Sequence, residues 1–146
     1  MSDAVLRDVK DGLCTITLNR ADKLNALSLE SFKGLAQSID YITSHVSEIG
    51  CVLIRGAGRA FCAGNDLGGL TEVFEGGDGS RFRSDTVERL ASLPMPVIAA
   101  VQGHCLTGGL ELALAADIII AGESAKFGDT HGKWDLVPVW GLSQRL

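Results

Sequence analysis

Hydrophobic and polar positions recur with two different periods along this chain, and these periods predict its first elements. Leu13–Asn19 alternates apolar and polar residues and is rich in β-branched side chains, which predicts a strand. From Leu29 to Ser44 the apolar residues follow the period of a helix, and Ser28 stands where an N-cap is expected. Cys51–Gly56 is a short apolar run between polar borders, typical of a strand buried on both faces of a parallel sheet.

The second half of the chain continues this alternation. Residues 74–81 are polar and glycine-rich and are expected to form a flexible surface segment, and Arg81–Leu93 predicts an amphipathic helix that ends at the following prolines. Val97–Gly103 and Asp117–Gly122 predict two more strands with a helix between them. Strands alternating with helices favour an α/β fold with right-handed crossovers. No repeat or linker divides the chain, so we expect one domain over residues 1–146.

The composition of the chain argues against several classes of binding partner. Thirteen basic against eighteen acidic residues give a net charge of −5, which provides no electrostatic basis for binding nucleic acid. The apolar runs fall far short of the roughly 20 residues that cross a bilayer. The N-terminal stretch lacks the apolar region of a secretory signal, so we expect a cytoplasmic protein without a membrane partner. The four cysteines are widely spaced and form no CxxC pair, which favours reduced core thiols over a metal site or disulfides.

One carboxylate stands where the pattern calls for an apolar side chain. Glu111 lies in the run 110–116, which otherwise contains only leucine and alanine and reads as an interior helix. Burying a charged side chain without a partner costs several kcal/mol, so such residues are almost never buried alone. Glu111 is therefore a candidate for chemistry.

Two glycine-rich loops share one design. Residues 56–66 and 103–109 each follow a predicted strand, and the second leads directly into the helix that carries Glu111. Glycine lets backbone N–H groups approach a ligand, and the first turn of a helix leaves N–H groups without a partner. One N–H from each loop can converge on an oxygen and form an oxyanion hole, although tight packing turns have the same pattern. The dinucleotide fingerprint GxGxxG, the Walker A pattern and the nucleophile elbow GxSxG are all absent.

Three segments resemble the signatures of a known family. "NRADKLNALS", "GRAFCAGNDL" and "PVIAAVQGHCLTGGLELALAADIIIAGESAKFG" are similar to those of the crotonase superfamily, the enoyl-CoA hydratase/isomerase family, in the same order and spacing. The likeness runs from about residue 4 to the last residue. It implies an α/β fold of the crotonase type, a spiral of ββα units. It also implies binding of an acyl-CoA thioester, with coenzyme A as part of the substrate and no further cofactor.

The resemblance implies roles for individual residues. The backbone N–H groups of Asn65 and Gly108 match the two oxyanion donors, and Glu111 matches the glutamate that activates water in the hydratases. Burial raises the pKa of a carboxyl group, which suits general acid–base catalysis near neutral pH. By the same resemblance, the coenzyme A end of the substrate is expected to lie against Lys23, Leu24, Ala26, Ala63, Asn65 and Asp66.

The chain departs from the hydratase pattern at the second catalytic position. Where hydratases carry a second glutamate, this chain has His131, and Asp129 lies two residues earlier. Either can replace the glutamate, or His131 only fills the pocket; the loss weighs against isomerases more than against hydratases. Downstream, Trp140 replaces a small residue, and with Trp134 nearby we expect a reshaped acyl pocket.

The leading expectation is a 2-enoyl-CoA hydratase-like lyase. The alternatives are another reaction of the superfamily (isomerisation, decarboxylation or thioester hydrolysis) and a non-catalytic protein that binds acyl-CoA or a partner. Family members continue into a helical C-terminal region, so we expect a shortened chain or one completed by partner subunits in a homo-oligomer, a trimer or dimer of trimers. His45 and His104 are expected to be surface and turn residues.

Overall fold

The computed structural model describes residues 3–66, 68 and 77–146, which contain a large sheet, a small sheet and four helices. In chain order the elements are β1 (Val5–Lys10), β2 (Leu13–Leu18), α1 (Leu29–Ser44), β3 (Cys51–Gly56), α2 (Gly77–Ala91), β4 (Val97–Val101), β5 (His104–Leu106), α3 (Gly108–Leu114), β6 (Ile118–Ala121), β7 (Lys126–Gly128) and α4 (Leu142–Arg145). Two 3₁₀ helices cover Ala21–Lys23 and His131–Trp134. The predicted α/β class is confirmed.

The large sheet has the strand order β1-β2-β3-β4-β6. Its first two strands form an antiparallel hairpin, and β2, β3, β4 and β6 run parallel. Parallel neighbours need a crossover connection, and α1, α2 and α3 lie in those connections. Strands β5 and β7 form a separate parallel pair. The turns that lead out of the parallel strands bring the two glycine-rich loops to one end of the sheet, as the hydrogen bond from Phe61 N–H to Gln102 O (2.7 Å) shows.

Helix α1 follows its sequence signals closely. Its bounds are those predicted, and Ser28 caps it in a capping box with Ser31. One face is fully buried against the sheet, and its large apolar side chains are Phe32, Leu35, Ile39 and Ile42. This packed layer supports the loops described below.

Three expectations about the strands and α2 need correction. Strand β3 is not buried on both faces: Val52 and Ile54 are buried, whereas Arg55 is exposed, so one face of the sheet carries the core and the other remains partly open. Helix α2 begins at Gly77, inside the segment predicted to be flexible, and ends at Ala91, two residues before the predicted end. Residues 74–76 of that segment lie outside the described residues.

The sequence reading also missed short elements. Strand β1 joins β2 through a turn at Asp11 and Gly12, both at positive φ (49° and 82°). An Asp-Gly pair is a sequence signal for a hairpin, and the sequence prediction missed it. Strands β5 and β7 have three residues each and α4 has four, too few to show a period. His104 lies half-buried in β5 and not in a turn.

The four cysteines are free thiols. Burial raises the pKa of both Cys62 and Cys105 to about 12, so these two thiols, one in each glycine-rich loop, are inert core residues. Within the described residues no helix is long and apolar enough to cross a membrane.

Candidate active site

Glu111 is almost completely buried, at 1% exposure, in the first turn of α3. Its Oε1 accepts hydrogen bonds from the backbone N–H groups of Trp140 (2.7 Å) and Leu142 (3.3 Å), in the last segment of the chain. These two donors compensate part of the cost of burying a carboxylate. The prediction that Glu111 faces the interior is confirmed, and among the described residues its hydrogen-bond donors are these two backbone N–H groups.

His131 and Asp129 extend this site into a row of three groups. The Nε2 atom of His131 lies 3.4 Å from Glu111 Oε2, and its Nδ1 atom lies 2.5 Å from Asp129 Oδ1. The same Asp129 oxygen accepts the backbone N–H of His131 at 3.0 Å. The His131 side chain is 8% exposed and that of Asp129 is 42% exposed. The imidazole thus stands between a buried carboxyl group and a partly solvated one.

The pKa values of the two carboxyl groups move in opposite directions. Burial raises the pKa of Glu111, against the opposing effects of the Trp140 and Leu142 N–H groups and of His131. The backbone N–H and then the ring of His131 lower the pKa of Asp129. Glu111 is therefore suited to take and release a proton, whereas Asp129 is held as a carboxylate.

Asn65 and Gly108, whose N–H groups are predicted as oxyanion donors, line the same cavity as Glu111 and His131. Neither the Asn65 N–H nor the Gly108 N–H donates to an acceptor within the described parts of the chain. Gly64, at a φ of 114°, turns the backbone directly before Asn65. Gly108 must lack a side chain, because a Cβ there would lie 2.3 Å from Cζ3 of Trp140.

The turn into α3 is strained. Thr107 has φ 53° and ψ −119°, a region that a β-branched residue rarely adopts and that costs on the order of 1–3 kcal/mol. Its N–H donates to Gly128 O at 2.9 Å, and its hydroxyl is hydrogen-bonded to that of Thr130. Strand β7 and the segment after it therefore hold the conformation that begins the helix and directs the Gly108 N–H.

The cavity has a volume of about 290 Å³ and two unlike walls. Its apolar wall comprises Leu136, Val137, Val139 and Trp140, opposite the polar groups described above. Trp140 is 7% exposed and packs edge-to-face on Phe32, with ring centroids 5.0 Å apart. Trp140 thus borders the cavity as expected, whereas Trp134 is 55% exposed and is not among the described residues that line it.

The segments predicted to hold coenzyme A lie side by side. Ala63 N–H donates to Leu24 O at 3.0 Å, and Asp66 N–H donates to Leu27 O at 2.9 Å. An ion pair of 2.8 Å between Arg20 and Asp66 joins the two segments at the surface. The six predicted residues belong to these two segments: Lys23, Leu24 and Ala26 to one, and Ala63, Asn65 and Asp66 to the other. Their role in binding stays a prediction.

Sequence reasoning assigned no role to several residues of the site, among them Arg83 and the supporting Asn25. Arg83, on α2, is 2% exposed and lines the cavity, where its Nη1 donates to Asn65 Oδ1 at 3.3 Å. It shares a helical face with the apolar Val87 and Leu90, and a charge on such a face was the signal that could have revealed it. Asn25, 1% exposed, donates to the carbonyl groups of Ala57 and Ala60 at 2.8 Å and fixes the first loop.

Comparison with known proteins identifies the family. The family model described as enoyl-CoA hydratase/isomerase matches residues 8–146. The chain is 40% identical over 146 residues to 1,2-epoxyphenylacetyl-CoA isomerase of Escherichia coli, covering 94% of this chain and 55% of that protein. It is 38% identical over 145 residues to the mitochondrial methylglutaconyl-CoA hydratase of Mus musculus, covering 97% and 46%.

A solved structure agrees with these relatives. The crystal structure of enoyl-CoA hydratase from Bacillus anthracis superposes with a TM-score of 0.89 at 35% identity, covering 97% of this chain and 56% of that one. The chain thus spans about half the length of the proteins it matches. With three signature segments in order, a match to the family model over residues 8–146 and the same fold, this chain belongs to the enoyl-CoA hydratase/isomerase family.

Proposed function

We propose that the protein binds acyl-CoA thioesters and hydrates 2-enoyl-CoA to 3-hydroxyacyl-CoA. The observation that carries the proposal is that one cavity is lined by the buried Glu111, by His131, and by Asn65 and Gly108, whose N–H groups have no acceptor among the described residues. Hydration develops negative charge on the thioester oxygen and needs one group to take a proton and another to give one. All of these requirements meet in this cavity.

The addition of water uses Glu111 and the two N–H groups. Glu111 takes a proton from water as the water oxygen forms a bond to C3. The electron pair of the C2–C3 double bond then moves onto the thioester as an enolate. The N–H groups of Asn65 and Gly108 bind the enolate oxygen, and loss of one such donor costs about 2.7–4 kcal/mol in the barrier of other enzymes.

His131 completes the reaction. Its Nε2 gives a proton to C2 of the enolate, which produces the 3-hydroxyacyl thioester and leaves a neutral imidazole. The proton that Glu111 took from water then returns to His131, whose Nε2 lies 3.4 Å from Glu111 Oε2. The pair ends each cycle as it began, so one carboxyl group and one imidazole suffice without a second glutamate.

Isomerisation of the double bond is the second candidate. The matching family model is described as enoyl-CoA hydratase/isomerase, and a carboxyl group and an imidazole that exchange a proton can also move a proton between two carbon atoms. A panel of short acyl-CoA thioesters with product identification distinguishes hydration from isomerisation, decarboxylation, hydrolysis and binding without turnover.

The setting of the reaction is part of the proposal. We propose that no cofactor is needed beyond the coenzyme A of the substrate, and that the protein acts in the cytoplasm. One relative is named as mitochondrial, so fractionation of cells decides the location. Exposed apolar residues such as Ile120 and Val137, at 57% and 73% exposure, support assembly with further protein surface, which we propose to be a homo-oligomer.

The decisive test is the hydration of crotonyl-CoA, followed as loss of enone absorbance. Glu111→Gln keeps an oxygen for the Trp140 N–H but cannot take a proton, so we expect kcat to fall by about 10²–10⁴-fold. Glu123→Gln, which alters an exposed carboxylate, serves as the control and should keep wild-type activity. Equal rates for Glu111→Gln and wild type would refute this role of Glu111.

A further inference from the structure

Proton transfer between His131 and Glu111 depends on which ring nitrogen of His131 carries hydrogen. An imidazole has two nitrogen atoms, and the hydrogen bond at one of them fixes which carries the proton in the neutral ring. Nε2 points at Glu111 Oε2, while Nδ1 points out of the cavity at Asp129 Oδ1, 2.5 Å away. The group at Nδ1 therefore determines what Nε2 can do.

The ionised Asp129 side chain can accept a hydrogen bond but cannot donate one. An ionised carboxylate is only an acceptor, so Nδ1 must carry hydrogen for this contact to be favourable. The same oxygen accepts the backbone N–H of His131 at 3.0 Å, which fixes the carboxylate relative to the ring. These two bonds also keep the pKa of Asp129 low. Asp129 is not among the described residues that line the cavity.

We propose that Asp129 is a positioning residue: its carboxylate fixes His131 as the Nδ1–H tautomer and thereby presents Nε2 to Glu111 and to the substrate. The kinetic part of this inference rests on the proposed hydratase function, whereas the tautomer does not. In the neutral ring Nε2 then has a free electron pair to receive a proton from Glu111. In the protonated ring the opposing carboxylate stabilises the cation that gives its proton to C2.

The other charged groups near His131 do not provide this effect. Glu111 faces Nε2 from α3, and Arg83 and Asp135 contribute to the lining of the cavity. Lys133 belongs to the same 3₁₀ helix as His131 and is exposed. Among the described contacts of Nδ1, Asp129 is the carboxylate that fixes the tautomer.

The tautomer can be measured directly. Long-range ¹H–¹⁵N spectra of the ¹⁵N-labelled wild type should give the Nδ1–H pattern. They are recorded at a pH at which the His131 ring is neutral and its signals no longer change. In Asp129→Ala no side-chain acceptor remains at Nδ1, and we expect the Nε2–H pattern to dominate. An Nε2–H tautomer in the wild type, or an unchanged tautomer in Asp129→Ala, overturns the proposal.

Kinetics supply the second arm. We expect Asp129→Asn to lower kcat for crotonyl-CoA at least tenfold with KM changed less than twofold, and Asp129→Glu to recover part of the loss. Glu123→Gln removes an exposed carboxylate and serves as the matched control. A wild-type kcat in Asp129→Asn overturns the positioning role. A wild type without hydratase activity instead defeats the proposed function, and the spectra still test the tautomer.

Discussion

The two ends of the site each rely on a carboxylate, and the two carboxylates behave in opposite ways. Glu111 is 1% exposed and burial raises its pKa. Asp66 is partly solvated, and its hydrogen bond to Arg20 is the main reason that its pKa is lowered. The environment thus decides the chemistry: desolvation favours the protonated form of a carboxyl group, whereas a neighbouring guanidinium group favours the carboxylate and here joins two segments.

The largest effect is expected when the buried carboxyl group is removed completely. Glu111→Ala leaves the N–H groups of Trp140 and Leu142 without their acceptor and opens a cavity in the core, so the free energy of unfolding should fall by about 2–5 kcal/mol. Urea unfolding at neutral pH measures it. Glu111→Gln keeps an acceptor oxygen and avoids a buried charge, and should unfold within about 1 kcal/mol of wild type or above it. An equal loss in both variants would mean that the charge, and not the hydrogen bonding, stabilises this region.

The difference between wild type and Glu111→Gln should depend on pH in a direction set by the raised pKa. A carboxyl group whose pKa is raised by folding stabilises the fold fully below its unfolded pKa of about 4.3, and this contribution is lost as the pH rises through the folded value. Glu111→Gln should therefore gain stability relative to wild type between pH 4 and neutrality, as measured by urea unfolding at several pH values. A His131→Gln background removes the cation that lowers the pKa of Glu111 and should enlarge the gain. A difference that is constant with pH would contradict the raised pKa.

The features that the sequence could predict are those that depend on neighbouring residues in the chain. The bounds of α1 followed from periodicity and its serine cap, and the interior position of Glu111 followed from the apolar residues around it. Both are local signals, which depend on residues within one or two turns. Sequence patterns of this kind also predicted the α/β alternation, since the longer strands and helices each carry their own period.

Contacts between distant segments were not predictable from such patterns. The donors to Glu111 Oε1 come from Trp140 and Leu142, 29 and 31 residues away, and no periodicity links them. The strained Thr107 is held by β7, a three-residue strand too short to recognise. The half-open face of β3 depends on which elements cover the sheet and not on β3 itself. The residues assigned to the oxyanion hole and to coenzyme A came from the resemblance, and their roles stay predictions.

The smallest effect is expected at the exposed end of the site. Asp66→Asn removes the ion pair with Arg20, whose side chains are 24% and 28% exposed, so solvent screening limits the loss to about 0.5–1 kcal/mol in urea unfolding. Because folding lowers the pKa of Asp66, this contribution is present above the unfolded value of about 3.9 and is lost as the pH falls through the folded value, opposite in sign to Glu111. Asp40→Asn, which breaks the more exposed pair with Arg89, is the control and should change nothing measurable. If Asp66→Asn instead matched Glu111→Ala in size, the ion pair would be holding the core loops together, and the contrast between the two carboxylates would fail.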